Sequence, residues 1–263
     1  FLPENVPDII ETGVNENEYY FDIPYYGDSK NYFQLLKTSS KETCEIAIQK
    51  LFEIIRKLQK IRFGSVNGSL SLYANEEIIV ILSNAYKDLE KNLTGDDLDI
   101  LPTLSNKIDK GINYLRKKKK ILERIKIDET LTHGNLTLEN IIYDAKRERP
   151  VLIDPYAETY SESILGDISQ LMQSSMSGYE MIMEIGENQI DLKKPPKIDN
   201  SVGINTLNRK LMDYRASLSK DKKFILKVFY AGQFVRMFPF KIRKTPKLAA
   251  FFLNHALDIL ASE

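Results

Sequence analysis

The densest chemistry lies in Thr132-His133-Gly134-Asn135-Leu136-Thr137-Leu138-Glu139-Asn140, followed by Val151-Leu152-Ile153-Asp154. Asn140 and Asp154 offer oxygen ligands, the donor type that a divalent cation such as Mg²⁺ prefers, and Asn135 precedes them in the loop. Phosphoryl transfer from a nucleotide needs such a cation against the phosphates. It also needs a group that orients the acceptor hydroxyl and takes its proton. A loop group, an amide a few residues later and a carboxylate after the next strand can supply these roles. Two short β-type runs, NIIYD and VLID, flank the polar turn AKRERP, so the chain folds back and brings Asn140 near Asp154.

Each residue also has a plainer reading. His133 fits a satisfied loop histidine, although its place directly before Gly134 and Asn135 favours function. Asp154 ends an apolar strand, where an unpaired carboxylate is costly; a metal partner or a structural cap accounts for it. Asn140 fits a turn cap, and its spacing from Asn135 and Asp154 is what favours a metal role. His255 shares a helix face with Phe251, Phe252 and Ile259 and receives no role.

The elements around this segment read as an α+β layout. VPDIIETG, the turn region NENE and YYFDIPYYG suggest a β-hairpin. Ser39 and Glu42 stand as a capping box before a helix striped by Leu51, Ile54, Ile55, Leu58 and Ile61. Further helices are expected over 76–93, with Ile78, Ile79, Leu82 and Leu89 inward, and over about 106–125. The second of these carries the basic run 116–120, which reads as a solvated helix face. Helix returns near Ile164, with Ile168, Leu171 and Met172 on one face. Residues 186–203 are polar and Pro-containing and read as a loop. The last helix is expected to begin with Thr245 as N-cap and Pro246 at its first position.

Composition narrows the function classes. Hydrophobic residues make up 43% and charged residues 28%, with 37 basic against 37 acidic side chains. A nucleic-acid binder would show a basic excess. Cys44 is the single cysteine, so there is no intrachain disulfide and no cysteine-based zinc cluster. This fits a reducing cytosol. No apolar run approaches the ~20 residues that span a bilayer. The first residue is not Met, so a piece of a longer protein is expected.

HGNLTLEN followed by LIDP resembles the HGDxxxxN and IDxx motifs of the aminoglycoside phosphotransferase and choline kinase superfamily of small-molecule kinases. Gly166-Asp167-Ile168 resembles the family's GD-type segment. The opening hairpin resembles the last N-lobe strands, with Ile23-Pro24-Tyr25-Tyr26 at the hinge. The resemblance implies a protein kinase-like fold: residues 1–30 a remnant of the N-lobe and hinge, and 31–263 a helical C-lobe with an inserted catalytic hairpin. It implies ATP or another nucleoside triphosphate and Mg²⁺ as cofactors. Asn135 takes the catalytic-base position and His133 braces the loop by hydrogen bonding. Asn140 and Asp154 bind metal, and Asp167 supports the loop from behind. Asp22, Ile23 and Tyr25 border adenine. Tyr156, Tyr160 and Arg236, with Tyr179 nearby, are candidates for an acceptor pocket, and a buried salt bridge is the plainer role for Arg236. The absence of Trp argues against a choline-type cation–π cage.

The sequence departs from the family twice. An amide stands where the family has Asp; it cannot take a proton, and loss of a general base costs ~10²–10⁴ in rate. An isosteric Asp-to-Asn change in an intact motif is the pattern of an engineered substrate trap, with a natural pseudokinase as the alternative. Second, no lysine precedes Lys30, so the family's phosphate-contacting strand lysine has no counterpart here. Those strands then lie upstream or phosphate binding is impaired, and an exposed edge is expected on the first hairpin. The implied activity is transfer of a γ-phosphoryl group to a hydroxyl of a sugar, polyol or amino alcohol. The implied setting is the bacterial cytoplasm and surface-polysaccharide or capsule metabolism, with a fused or adjacent nucleotidyltransferase. The other reading is a pseudokinase that binds a nucleotide or partner protein without turnover.

Overall fold

The computed structural model describes all residues except 1–2, 16–17, 28, 157–159, 195, 197, 199–200 and 263. The chain opens with the expected hairpin. β1 (Glu11–Asn15) and β2 (Glu18–Asp22) pair antiparallel, Glu11 opposite Asp22 and Asn15 opposite Glu18. They form a two-stranded sheet of their own, and β2 is exposed along its whole length. Exposed aromatic side chains such as Tyr19 and Phe21 thus have no covering layer among the described residues.

β3 (Lys30–Asn31) leads into α1 (Tyr32–Thr38). The division expected after residue 30 therefore falls inside β3. Asn31 caps α1 by accepting from the Gln34 amide at 2.8 Å. This helix is too short for its periodicity to be read, and its presence corrects the capping assignment of the next. Ser39 closes α1, so the N-cap of α2 (Lys41–Lys60) is Ser40, which accepts from the Thr43 amide. Of the expected stripe, Leu51, Ile54, Ile55 and Leu58 are buried, while Ile61 lies just past the helix and is half-buried.

β4 (Arg62–Asn67) was not foreseen, because its six residues are exposed and show no apolar alternation. The helix expected from residue 76 already begins as α3 (Ser69–Tyr73), passes through a π-helical stretch at Ala74–Ile79 and continues as α4 (Val80–Asn92). The single helix expected over 106–125 is α5 (Leu101–Lys117) and α6 (Lys119–Arg124), broken at Lys118. Five consecutive basic residues disfavour an unbroken helix there through like-charge repulsion. β5 (Lys126–Thr130) pairs antiparallel with β4.

β6 (Ile141–Asp144) and β7 (Arg149–Leu152) form the expected inserted hairpin, Ile141 opposite Leu152, and β3 adds to the free edge of β6. Then follow α7 (Ile164–Ser175), α8 (Tyr179–Ile185), α9 (Val202–Ser217), α10 (Lys220–Val235), α11 (Phe238–Lys241) and α12 (Pro246–Ala261). α12 starts where expected, but the Thr245 hydroxyl donates backwards to the Lys241 carbonyl and caps nothing. Glu187 accepts from the Lys247 amide at 2.7 Å instead, a cap from across the fold.

Two apolar cores meet along α7 and α10. One gathers Leu82, Leu104, Phe229, Phe234 and Phe252 from α4, α5, α10 and α12. The other gathers Tyr32, Leu51, Ile55, Ile168 and Leu207 from α1, α2, α7 and α9 with the β6–β7 hairpin. Tyr32 ties hairpin to helices: its hydroxyl donates to the Ala47 carbonyl at 3.0 Å, and its ring meets Tyr143 edge-on at 6.1 Å. His255 joins α12 to the turn after α7 through Ser177 Oγ at 2.7 Å, a structural contact that its helix face alone did not disclose.

Candidate active site

The loop between β5 and β6 is anchored where it leaves β5. Leu131 donates to the Ile61 carbonyl, and the Thr130 hydroxyl accepts from the Ile164 amide at the start of α7. Beyond these anchors, backbone amides without sheet partners need acceptors. One face of α7 supplies them. Asp167 accepts from the amides of His133 at 2.8 Å and Gly134 at 2.9 Å. Gln170 accepts from Leu136 at 2.6 Å and donates to the Gly134 carbonyl at 2.7 Å. Ser174 accepts from Leu138 at 3.1 Å. Positions 167, 170 and 174 lie one above another on a helix, so α7 holds the loop as a rack. The sequence reading missed Gln170 and Ser174. The available signal was a polar stripe at i, i+3 and i+7 beside the apolar positions 168, 171 and 172.

Gly134 is required by backbone conformation and space. Its φ is 76°, and a Cβ there would lie 1.8 Å from the Tyr156 carbonyl oxygen. Tyr156 in turn donates its amide to the His133 carbonyl at 2.9 Å. This close crossing presses the loop against the segment that follows β7.

Two of the three candidate side chains meet directly, and the third holds the backbone of the first. Asn135 donates from Nδ2 to Asp154 Oδ2 at 3.0 Å. Asn140 donates from Nδ2 to the Asn135 carbonyl at 2.9 Å. The Asn140 carbonyl accepts from the Ile153 amide at 3.0 Å, which closes the base of the hairpin. Asp154 is exposed and has φ 56°, a left-handed conformation uncommon outside glycine. Strained backbone of this kind concentrates at functional sites.

The charged neighbourhood is uneven. Burial keeps the His133 imidazole below its usual pKa, hence neutral at pH 7. The Ile153 and Asn135 backbones lie close to its ring but outside good hydrogen-bond geometry, and the His133 backbone amide and carbonyl are both hydrogen-bonded. Burial pushes the Asp167 carboxyl up to about 7, opposed by its two amide donors. Desolvation raises the Glu139 carboxyl; Lys241 opposes this and Asp154 adds to it. Glu180, buried beneath, is raised to about 7 by desolvation. Among the described residues no cluster of three or more His, Cys, Asp or Glu could hold a metal. The donors available to a hard cation are the Asn140 amide oxygen and the Asp154 carboxylate, which suit Mg²⁺ when phosphate and water oxygens complete the shell.

The hinge residues lie apart from this cluster. Tyr25, 96% exposed, lines a cavity of about 340 Å³ with Pro24, Tyr26 and the β6–β7 turn Asp144–Arg147. Asp22 ends β2, and neither it nor Ile23 lines that cavity. The cavity is at the turn end of the hairpin, and Asn140 and Asp154 are at its base. The acceptor candidates divide. Tyr160 and Arg236 line a small cavity behind Gly134, while Tyr156 does not. Tyr179 packs on Phe252 with Lys241 close by and lines neither cavity. Arg236 has no ion pair among the described residues, so its expected plainer role is not seen.

No helix among the described residues is long and apolar enough to cross a membrane. No family model matches the chain, and no curated protein matches it by sequence. Solved structures do. A glucosamine kinase, solved in complex with glucosamine, ADP and inorganic phosphate, is similar with a TM-score of 0.53 at 11% identity, over 97% of this chain and 64% of that one. Two further crystal forms of a glucosamine kinase give TM-scores of 0.51 and 0.52 at 12% and 11% identity, over 90% and 97% of this chain and 60% and 63% of theirs. The chain thus spans about three fifths of the length of the structures it matches, and over that span it has the α+β, kinase-like fold that they share.

Proposed function

We propose that the chain contributes the catalytic lobe of a small-molecule kinase that transfers the γ-phosphoryl group of ATP to a hydroxyl of a sugar, polyol or amino alcohol. The observation that carries this reading is the contact of Asn135 with Asp154, with Asn140 on the Asn135 backbone, at the base of a hairpin in a kinase-like fold. The motif residues resemble those of the aminoglycoside phosphotransferase and choline kinase type.

In this reading Asn140 and Asp154 hold Mg²⁺, which neutralises phosphate charge when bound. The position of Asn135 faces the acceptor hydroxyl. The α7 rack fixes that position by satisfying the loop amides before substrate arrives, so little reorganisation is left for the reaction. His133 stays neutral and Asp167 holds the loop backbone. Tyr25, with Pro24 and Tyr26, borders the adenine. The Asn135 amide orients a hydroxyl but takes no proton, so the chain as it stands is slow or inactive. That amide also favours the second reading, a pseudokinase that binds nucleotide without turnover.

The test is calorimetric titration with MgATP, followed by phosphoryl transfer to a panel of hydroxyl compounds with Asn135→Asp. Binding that is lost in Asp154→Ala, with turnover only in Asn135→Asp, is expected. Binding without turnover in either form favours the pseudokinase, and no binding in either form overturns both readings.

A further inference from the structure

A second cavity lies directly behind the loop, with Gly134 and Asp167 in its wall, one residue from Asn135. Its enclosed part is about 30 Å³, room for one or two hydroxyl-sized groups. Three polar atoms buried around it have no partner: Tyr73 Oη, Ser161 Oγ and Gln233 Oε1. Tyr73 is 5% exposed and Gln233 4%. Buried groups of this kind are ordinarily satisfied, so these three call for a polar occupant. Glu77 and Arg236 line the same space. Each charge influences the other, yet they form no ion pair, and neither side chain has a hydrogen-bond partner among the described residues.

The cavity depends on local features that helix propensity alone would not produce. Glu77 sits within the π-helical stretch Ala74–Ile79, a wider turn that often marks functional positions. Tyr73 reaches the cavity only because residue 232 is glycine, since a Cβ there would lie 2.3 Å from the Tyr73 hydroxyl oxygen. Tyr160, 46% exposed, completes the lining with an aromatic side chain.

The charges select the ligand class. Asp167 already spends both oxygens on loop amides. One carboxylate and one guanidinium remain and balance. A phosphorylated ligand would meet Glu77, and a quaternary amine would meet Arg236. Adjacent hydroxyls satisfy both, because each donates and accepts. We infer that this cavity receives the non-reacting end of an uncharged polyhydroxylated acceptor, a neutral sugar or sugar alcohol, whose hydroxyls are read by Glu77, Arg236, Tyr73 and Gln233. That this ligand is the phosphoryl acceptor rests on the phosphotransfer reading; its binding in the cavity does not.

The experiment is saturation-transfer NMR on the 263-residue chain without nucleotide. The probes are glucose, mannose, sorbitol and myo-inositol against choline and glucose 6-phosphate. At least one neutral probe should bind, with choline and glucose 6-phosphate weaker. Glu77→Gln and Arg236→Met should each weaken the neutral probe at least tenfold, with melting temperature as the check on folding. Should those variants unfold, Tyr160→Trp gives a chain that otherwise lacks Trp a single fluorophore beside the cavity, and the neutral probe should change its emission. The inference is overturned by binding of no neutral probe, by preference for a charged one, by binding that neither variant weakens, or by unchanged emission. Because nucleotide is absent, polyol binding without MgATP binding would sink only the phosphotransfer reading. MgATP binding without polyol binding would sink only the cavity assignment.

Discussion

Asn135 and Asp154 meet at 3.0 Å, amide nitrogen to carboxylate oxygen, across the base of the β6–β7 hairpin. The contact is attractive because residue 135 is an amide. A carboxylate there would place two negative charges at hydrogen-bonding distance, a repulsion that a divalent cation would relieve.

Asn135→Asp should therefore lower stability in EDTA by about 1 kcal/mol, the scale of two unit charges at this separation near water. Millimolar Mg²⁺ should restore it. Thermal melts of both forms in EDTA and in Mg²⁺ give the comparison. Equal melting temperatures in all four would show that the two groups do not face one another.

Gly134→Ala should be among the most damaging single-methyl additions in the chain. The left-handed backbone alone costs about 1–2 kcal/mol, and the contact with the Tyr156 carbonyl adds to it. Urea denaturation should show a lower midpoint, and a loss under 1 kcal/mol would be inconsistent with the close crossing.

Gln170→Leu keeps the bulk of the side chain and removes both of its hydrogen bonds to the loop. A buried amide and a buried carbonyl are then unpaired, at about 1–3 kcal/mol each. Hydrogen exchange at the Leu136 amide should accelerate with this loss. Unchanged exchange would mean that α7 does not hold the loop.

Glu180 gives a pH prediction. Its carboxyl is raised from 4.5 to about 7 by burial, with Ser174 and the Leu138 backbone opposing the shift but outside good hydrogen-bond geometry. Between those values the folded chain holds a proton that the unfolded chain has released, so stability is greatest below pH 4.5 for this group and falls as pH rises through about 7. Asp167, raised to about 7, acts in the same direction. Glu180→Gln should flatten the melting temperature between pH 5 and 8 and raise it at pH 8. A variant with an unchanged slope would assign the pH dependence elsewhere.

Local order was readable wherever one residue type sufficed. The stripe Leu51, Ile54, Ile55 and Leu58 announced α2, and the turn AKRERP between two apolar runs announced the β6–β7 hairpin. The spacing of Asn135, Asn140 and Asp154 drew attention to the loop. Tertiary structure decided the rest, because it depended on partners distant in sequence. β4 exists because β5 pairs with it. Ser40 replaced Ser39 as a cap because α1 had already used Ser39. Lys247 is capped by Glu187, and the loop amides find their acceptors on α7. A sequence records which groups need partners, but hydrogen-bond geometry over a few ångströms selects them, and only the packed chain sets those distances.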